Sequence, residues 1–370
     1  MNPKKFFLIS LIALIIILGA LLVYNFFLKD NAEPTTAPGQ STDQPTGPII
    51  KISDGPVISP ALDEKNNQLK YYTAQDGLAF AVDFAGQNKK ELSGSVLTGF
   101  IKALWSPDTN QVIGLFAAAA DRPVKKAYYN YQTKQSTVLD ENIAWVAWSP
   151  DGQKIAYEYL GAGNNNNISV ANPDGTGWTP VFQTRLPDWQ IAWVAENKIS
   201  LTTPPSGQVQ GVLYDLNPKT QDFAKILSDY YGLKPLWSPR ADKILFSATD
   251  PQTNLPKLMI TDSRGENTKE LVLQTVAEKC AWSQSNNTIF CAVPQSLATG
   301  YQWPDDYYKG LITTKDNFYK INFDTGQQTQ LFISGDQDFY DATSLMLDPA
   351  EKYLFFYNQY DSQLYRLSLE

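Results

Sequence analysis

The stretch Ile143-Ala144-Trp145-Val146-Ala147-Trp148-Ser149-Pro150-Asp151-Gly152-Gln153-Lys154-Ile155-Ala156-Tyr157 decides the fold. An apolar run ends at a tryptophan, a Ser-Pro-Asp-Gly turn reverses the chain, and a second apolar run follows. Proline presets φ at such a turn, while Asp and Gly accept the remaining turn geometry. A third run, Ile168-Ser169-Val170-Ala171, leads through the polar turn Asn172-Pro173-Asp174-Gly175 to a fourth, Thr179-Pro180-Val181-Phe182. Four short strands in about 40–45 residues is the period of a propeller blade.

The unit recurs along the chain. Trp105-Ser106-Pro107-Asp108, Trp237-Ser238-Pro239 and the degenerate Trp282-Ser283-Gln284 are further copies, and Trp193-Val194-Ala195 keeps only the tryptophan. The five tryptophans are spaced 43, 45, 44 and 45 residues apart. Ser59-Pro60 upstream and Asp348-Pro349 downstream read as flanking copies, the latter displaced by an insertion. The expectation is an all-β, seven-bladed β-propeller with four antiparallel strands per blade; the insertion leaves six or eight blades as alternatives. Only two strands follow Asp348-Pro349, whereas Pro48-Ile49-Ile50-Lys51-Ile52 has no blade of its own. Pairing that segment as the missing outer strand of the last blade closes the ring and removes an open edge.

The Trp-Ser-Pro-Asp-Gly-x-Lys-Ile-Ala-Tyr run at 148–157, with the Asn-Pro-Asp-Gly-Thr-Gly turn at 172–177, resembles the WD-like repeat of TolB-type propellers. The same repeat occurs in the propeller of prolyl-oligopeptidase-type peptidases. The resemblance covers residues 49–370 and implies a protein-binding scaffold, or a gate to a partner domain, rather than a particular chemistry.

Upstream of the repeats, residues 6–28 carry no charged side chain. Twenty-three residues at about 1.5 Å each span the hydrocarbon core of a bilayer. With Lys4 and Lys5 in front, the reading is a short cytoplasmic tail (1–5), a transmembrane helix (6–28) and an extracytoplasmic C-terminal mass. A cleaved signal peptide is the rival, but Val23-Tyr24-Asn25-Phe26-Phe27 is a poor cleavage site and the run is long for one. Residues 29–48, rich in Pro, Thr and Gly, read as a disordered stalk, leaving the propeller at 49–370.

Composition narrows function. The formal net charge is −8, and beyond residue 30 the chain holds 27 basic against 37 acidic side chains. That balance repels phosphate backbones, so no nucleic-acid partner is expected. There is no histidine, which removes Ser-His-Asp and Cys-His catalysis and every His-ligated metal site. No cofactor or metal is called for. Asp305 and Asp306 are adjacent acids without the spaced loop of a calcium site.

The recurring tryptophans sit in a fixed frame where blade packing demands bulk, and are read as structural. Cys280 and Cys291 lie symmetrically about the turn centred between 285 and 286, so they face each other across a hairpin either as a disulfide or as two buried thiols. Loops between the second and third strands of the blades vary most, and they share a face with the connections between blades, the usual place for function on a rigid scaffold. The longest, 294–316, holds Tyr301, Trp303, Asp305, Asp306, Tyr307 and Tyr308. With Trp189, Tyr231 and Tyr340 from connections on the same face, these are the candidate binding residues, since Tyr and Trp bring large rigid contact area. Tyr230 and Phe339 lie on the same connections. The alternative is that such aromatics plug the insert onto its own blade. Deleting 296–312 is expected to leave a folded domain. The segment Asn172–Trp178 also resembles a sialidase Asp-box, but occurs once and on a structural turn.

The function expected is a membrane-anchored binding scaffold in the cell envelope, not an enzyme, with a protein, peptide or envelope polymer as partner. The alternative is a glycan-active hydrolase or lyase using paired carboxylates at the channel mouth, such as Asp188 and Asp341.

Overall fold

The computed structural model describes residues 48–118, 124–285 and 287–369. The expected membrane span and most of the stalk lie outside the described residues. None of the described helices is long and apolar enough to cross a membrane.

Seven four-stranded antiparallel sheets follow one another along the chain, at 57–91, 100–138, 143–184, 190–231, 234–270 and 280–332, with the seventh made from both ends. These are blades 1 to 7. In blade 7 the strands at 342–347, 353–358 and 363–368 are completed by Ile49–Lys51, which lies antiparallel on the last strand with Ile49 opposite Leu367 and Lys51 opposite Tyr365. The closure expected from the sequence is therefore present, and it caps an edge that would otherwise offer free backbone groups.

The second strand of each blade is sandwiched between neighbouring blades, which explains its unbroken apolar character. In blade 3, Ile155, Ala156, Tyr157 and Glu158 are all buried; in blade 5, Ile244 to Thr249 are. Outer strands are wet, as at Ser136–Val138 and Lys90–Glu91. The core is correspondingly a set of clusters between blades. Ile113 and Tyr128 of blade 2 pack on Ile155 and Tyr157 of blade 3, and Tyr71 and Val82 of blade 1 pack with Phe355 of blade 7.

The repeated tryptophans act between blades. The indole N–H of Trp105 donates to the Ser59 carbonyl, that of Trp148 to the Leu104 carbonyl and that of Trp282 to the Leu236 carbonyl, at 2.9, 2.9 and 3.1 Å. Each reaches the innermost strand of the preceding blade. Trp237 reaches the Ser200 hydroxyl instead, and Trp193, whose turn has lost Ser-Pro, donates within its own hairpin to Glu196.

The turns repeat a second device. Ser149 Oγ donates to Asp151 Oδ1 at 2.6 Å and accepts from the Lys154 N–H at 2.9 Å; Ser106 and Ser238 act likewise. Gly152 at this turn has φ +68°, a conformation that favours glycine. Blade 6 has no Asp in its turn, and Glu351 of blade 7 supplies the carboxylate to Ser283 instead. Blade 1 departs from the sequence reading. Ser59-Pro60 lies inside the first strand at a bulge, and the turn comes at Asp63, whose carboxylate pairs with Lys70 at 2.8 Å. Asp63, 43 residues before Ser106, occupies the place of the turn serine.

Candidate functional site

The inserted segment between the second and third strands of blade 6 folds back over the loop face instead of standing off it. Its single helical turn, Asp305–Tyr308, follows Trp303-Pro304. Trp303 and Tyr307 stack with ring centroids 5.2 Å apart and are buried with Val276 and Ile312. Asp305 accepts from the Ser206 hydroxyl at 2.9 Å and the Gly207 N–H at 2.6 Å, tying the insert to blade 4. Thr249 of blade 5 donates to the Trp303 carbonyl at 2.9 Å. A Cβ at Gly207 would collide with the Trp303 carbonyl, so only glycine permits this approach. Asp306 accepts from the Gln302 N–H and faces Lys309, closing the turn on itself.

Beneath the insert lies a buried ionic cluster. Lys279 Nζ is 2.6 Å from Asp316 Oδ2 and 2.7 Å from Asp341 Oδ1, and all three side chains have no exposure. Nζ also donates to Thr314 Oγ1, and the Tyr307 hydroxyl donates to Asp341 Oδ1 at 2.7 Å. Burial raises the Asp316 carboxyl above its ordinary value, against the opposing effect of Lys279, and its second oxygen has no hydrogen-bond partner. Burial and the Asp341 charge likewise push the Tyr307 phenol far up, so it stays protonated and keeps its donated hydrogen bond to Asp341. A buried charge of this kind is tolerated only when paired and hydrogen-bonded. The cluster is thus the socket that holds the insert down.

The sequence-predicted residues therefore divide. Trp303 and Tyr307 are plugs, and Asp305 and Asp306 serve the insert's own anchoring. Trp189 is buried and donates to Thr184. Tyr340 is enclosed by Phe318, Phe332, Phe356 and Tyr365, its phenol pushed up to about 12 by burial. Tyr231 is half-buried at the end of a strand of blade 4. Tyr301 and Tyr308 remain on the surface. Asp341 lies in the cluster, whereas Asp188 is exposed on the connection between blades 3 and 4.

What the sequence reading missed is Tyr360 and its pairing with Phe339. Phe339 and Tyr360 stack at 5.5 Å although they are 50% and 63% exposed. Gln359, next to Tyr360, donates to the Tyr307 hydroxyl, so the pair adjoins the insert, where Leu311 is 62% exposed. The connection into blade 7 and a loop within it bring together rings 21 residues apart, and no local pattern announces that. Cys280 and Cys291 stand directly opposite, Cα atoms 4.1 Å apart, and form a disulfide. Among the described residues no group of three or more Cys, Asp or Glu is placed to hold a metal.

No protein-family model matches the chain, and no curated protein does. Solved structures do. An oligogalacturonate lyase from Vibrio parahaemolyticus superposes with a TM-score of 0.63 at 9% identity, over 87% of this chain and 93% of its own. The β-propeller domain of the trilobed protease from Pyrococcus furiosus gives 0.55 at 11%, over 85% and 95%. A TolB from Acinetobacter baumannii gives 0.46 at 13%, over 74% and 62%. At such identities the likeness is one of fold, and the fold is that of a β-propeller with seven four-stranded blades.

Proposed function

We propose that this chain is a membrane-tethered propeller that docks a protein partner on its loop face, beside the insert at 295–315. The observation that carries this reading is the exposed, stacked pair Phe339 and Tyr360, joined to the insert through the bond of neighbouring Gln359 to Tyr307. Exposed rings grouped on a rigid support are the composition of a protein-binding patch. The support here is the buried Lys279 cluster, which fixes the insert so that its outer side chains are ordered before any partner arrives. Preorganisation of this kind lowers the entropic cost of association. The apolar run at 6–28 supports a tether with the propeller outside the cytoplasm, and the Trp-Ser-Pro-Asp-Gly repeat supports a TolB-type envelope scaffold.

The experiment is affinity purification of the full chain from its own cells, wild type against Phe339→Ala/Tyr360→Ala. Both side chains are at the surface, so the variant should fold. Loss of a co-purifying protein, by roughly tenfold or more, is expected from removal of a hot-spot pair. Unchanged recovery of every partner would sink this reading.

The second reading, a glycan-active hydrolase or lyase, draws on the fold shared with oligogalacturonate lyases. It needs two carboxylates about 5–10 Å apart facing one pocket. Asp341 is wholly enclosed by Lys279, Thr314 and Tyr307, which weighs against its pairing with Asp188.

A further inference from the structure

Blade 3 carries a second site on its flank. A groove of about 470 Å³ opens between the outer strand of blade 2 and the broad side of blade 3, lined by Asp140, Tyr157, Tyr159, Ser169, Asp174 and Trp178. Its volume falls in the usual range for small-molecule sites. The sequence departs from its own repeat to make it. Ser169 pairs with Tyr157 in blade 3 as Tyr214 pairs with Leu201 in blade 4. In blade 4 that position is filled: Tyr214 stacks on Phe223 at 4.3 Å, and Phe223 on Phe182 of blade 3 at 4.2 Å. In blade 3 the ring is replaced by a hydroxyl. The covering strand is shortened as well, to Ser136–Val138 against Thr179–Thr184 one blade on.

Trp178 stands six residues after Asn172 at the turn, where the corresponding turn of blade 4 has Phe223, six after Asn217. It is 63% exposed and stacks on no other ring among the described residues. The polar groups are acceptors and neutral donors. Ser169 Oγ donates to Asn167, Asp174 Oδ1 accepts from Thr176, and Asp140 Oδ1 accepts from Asn142. The Oδ2 atoms of Asp140 and Asp174 accept no hydrogen bond among the described residues. Among the described residues no Lys or Arg lines the groove.

From these features we propose that the groove binds a neutral saccharide. An exposed indole face suits the C–H face of a sugar ring, and carboxylates, amides and hydroxyls suit its hydroxyl groups. Two carboxylates without a cation repel uronates and phosphates. A purely cationic ligand would leave the hydroxyl and amide groups without a role. The site is separate from the loop-face patch, and its test is independent of that reading.

The test uses the full chain in a sugar-free detergent, with maltose, cellobiose and N,N′-diacetylchitobiose as probes and tetramethylammonium and digalacturonate as charged controls. Saturation-transfer NMR and calorimetric titration read binding. Saturable binding of at least one neutral disaccharide is expected. Trp178→Ala should weaken it roughly tenfold, the value of an aromatic contact. Ser169→Tyr, which places in the groove the ring that blade 4 carries, should abolish it. Thermal unfolding of Trp178→Ala should match wild type, since that side chain packs on no other ring. The proposal is overturned if none of the three disaccharides binds, if binding survives both substitutions, or if only tetramethylammonium or digalacturonate saturates the groove.

Discussion

Glu158 is a carboxyl in the middle of a buried strand, and that position fixes its chemistry. It accepts from the Trp189 N–H at 3.2 Å, while its other oxygen is buried without a partner. Burial, aided by nearby Asp188, pushes it up from 4.5 to about 7. The folded protein therefore holds this proton between about pH 4.5 and 7, where the unfolded chain has released it. Stability contributed by the protonated group is complete below that window and falls as pH rises through it. Glu158→Gln should match wild type near pH 4 and exceed it at pH 8, by up to about 3 kcal/mol. Thermal denaturation across that range checks it, and parallel wild-type and variant curves would refute the assignment. A different outcome is expected at Lys279. Lys279→Met leaves Asp316 and Asp341 buried without their cation, and chemical denaturation should report a loss of about 3–5 kcal/mol. The sequence shows a lysine next to an apolar strand but not that two aspartates, 37 and 62 residues on, converge on it.

At the scale of elements, the insert behaves as part of the blade and not as an appendage. Deleting 296–312 would uncover the Lys279 cluster, so the folded, truncated domain expected from sequence is not what this packing favours. In sequence, aromatics and acids look alike as surface or as plug until their partners are known. Trp303 and Tyr307 face inward because Val276, Ile312 and Asp341 await them; Tyr308 does not. Gly207→Ala offers a milder test than deletion. Its Cβ cannot coexist with the Trp303 carbonyl in the present contact. The insert should lift, and proteolysis within 295–315 should speed up while the propeller stays folded. Cleavage at the wild-type rate would mean that the anchoring to blade 4 is dispensable.

At the scale of the molecule, closure depends on three residues at the start of the described chain. Without Ile49–Lys51, the strand Gln363–Ser368 presents an open edge, and Ile50 leaves a cluster with Phe355 and Leu364. Removing residues 1–47 should leave thermal stability unchanged. Removing 1–52 should lower it and promote aggregation through the exposed edge. Equal melting temperatures for the two truncations would argue that the ring holds without its closing strand.

The sequence by itself determined the repeat, the number of strands per blade, the closing strand and the cross-strand cysteines. Those features are local or periodic: a turn needs its Pro, Asp and Gly where it bends, and a strand buried on both sides needs an apolar run. Tertiary structure alone decided which aromatics of the insert face water, that Lys279, Asp316 and Asp341 share one socket, that Phe339 meets Tyr360, and that the side of blade 3 is left open. Each depends on which distant side chain stands opposite. Burial and electrostatic pairing are set by that neighbour, and one sequence read along its length does not contain it.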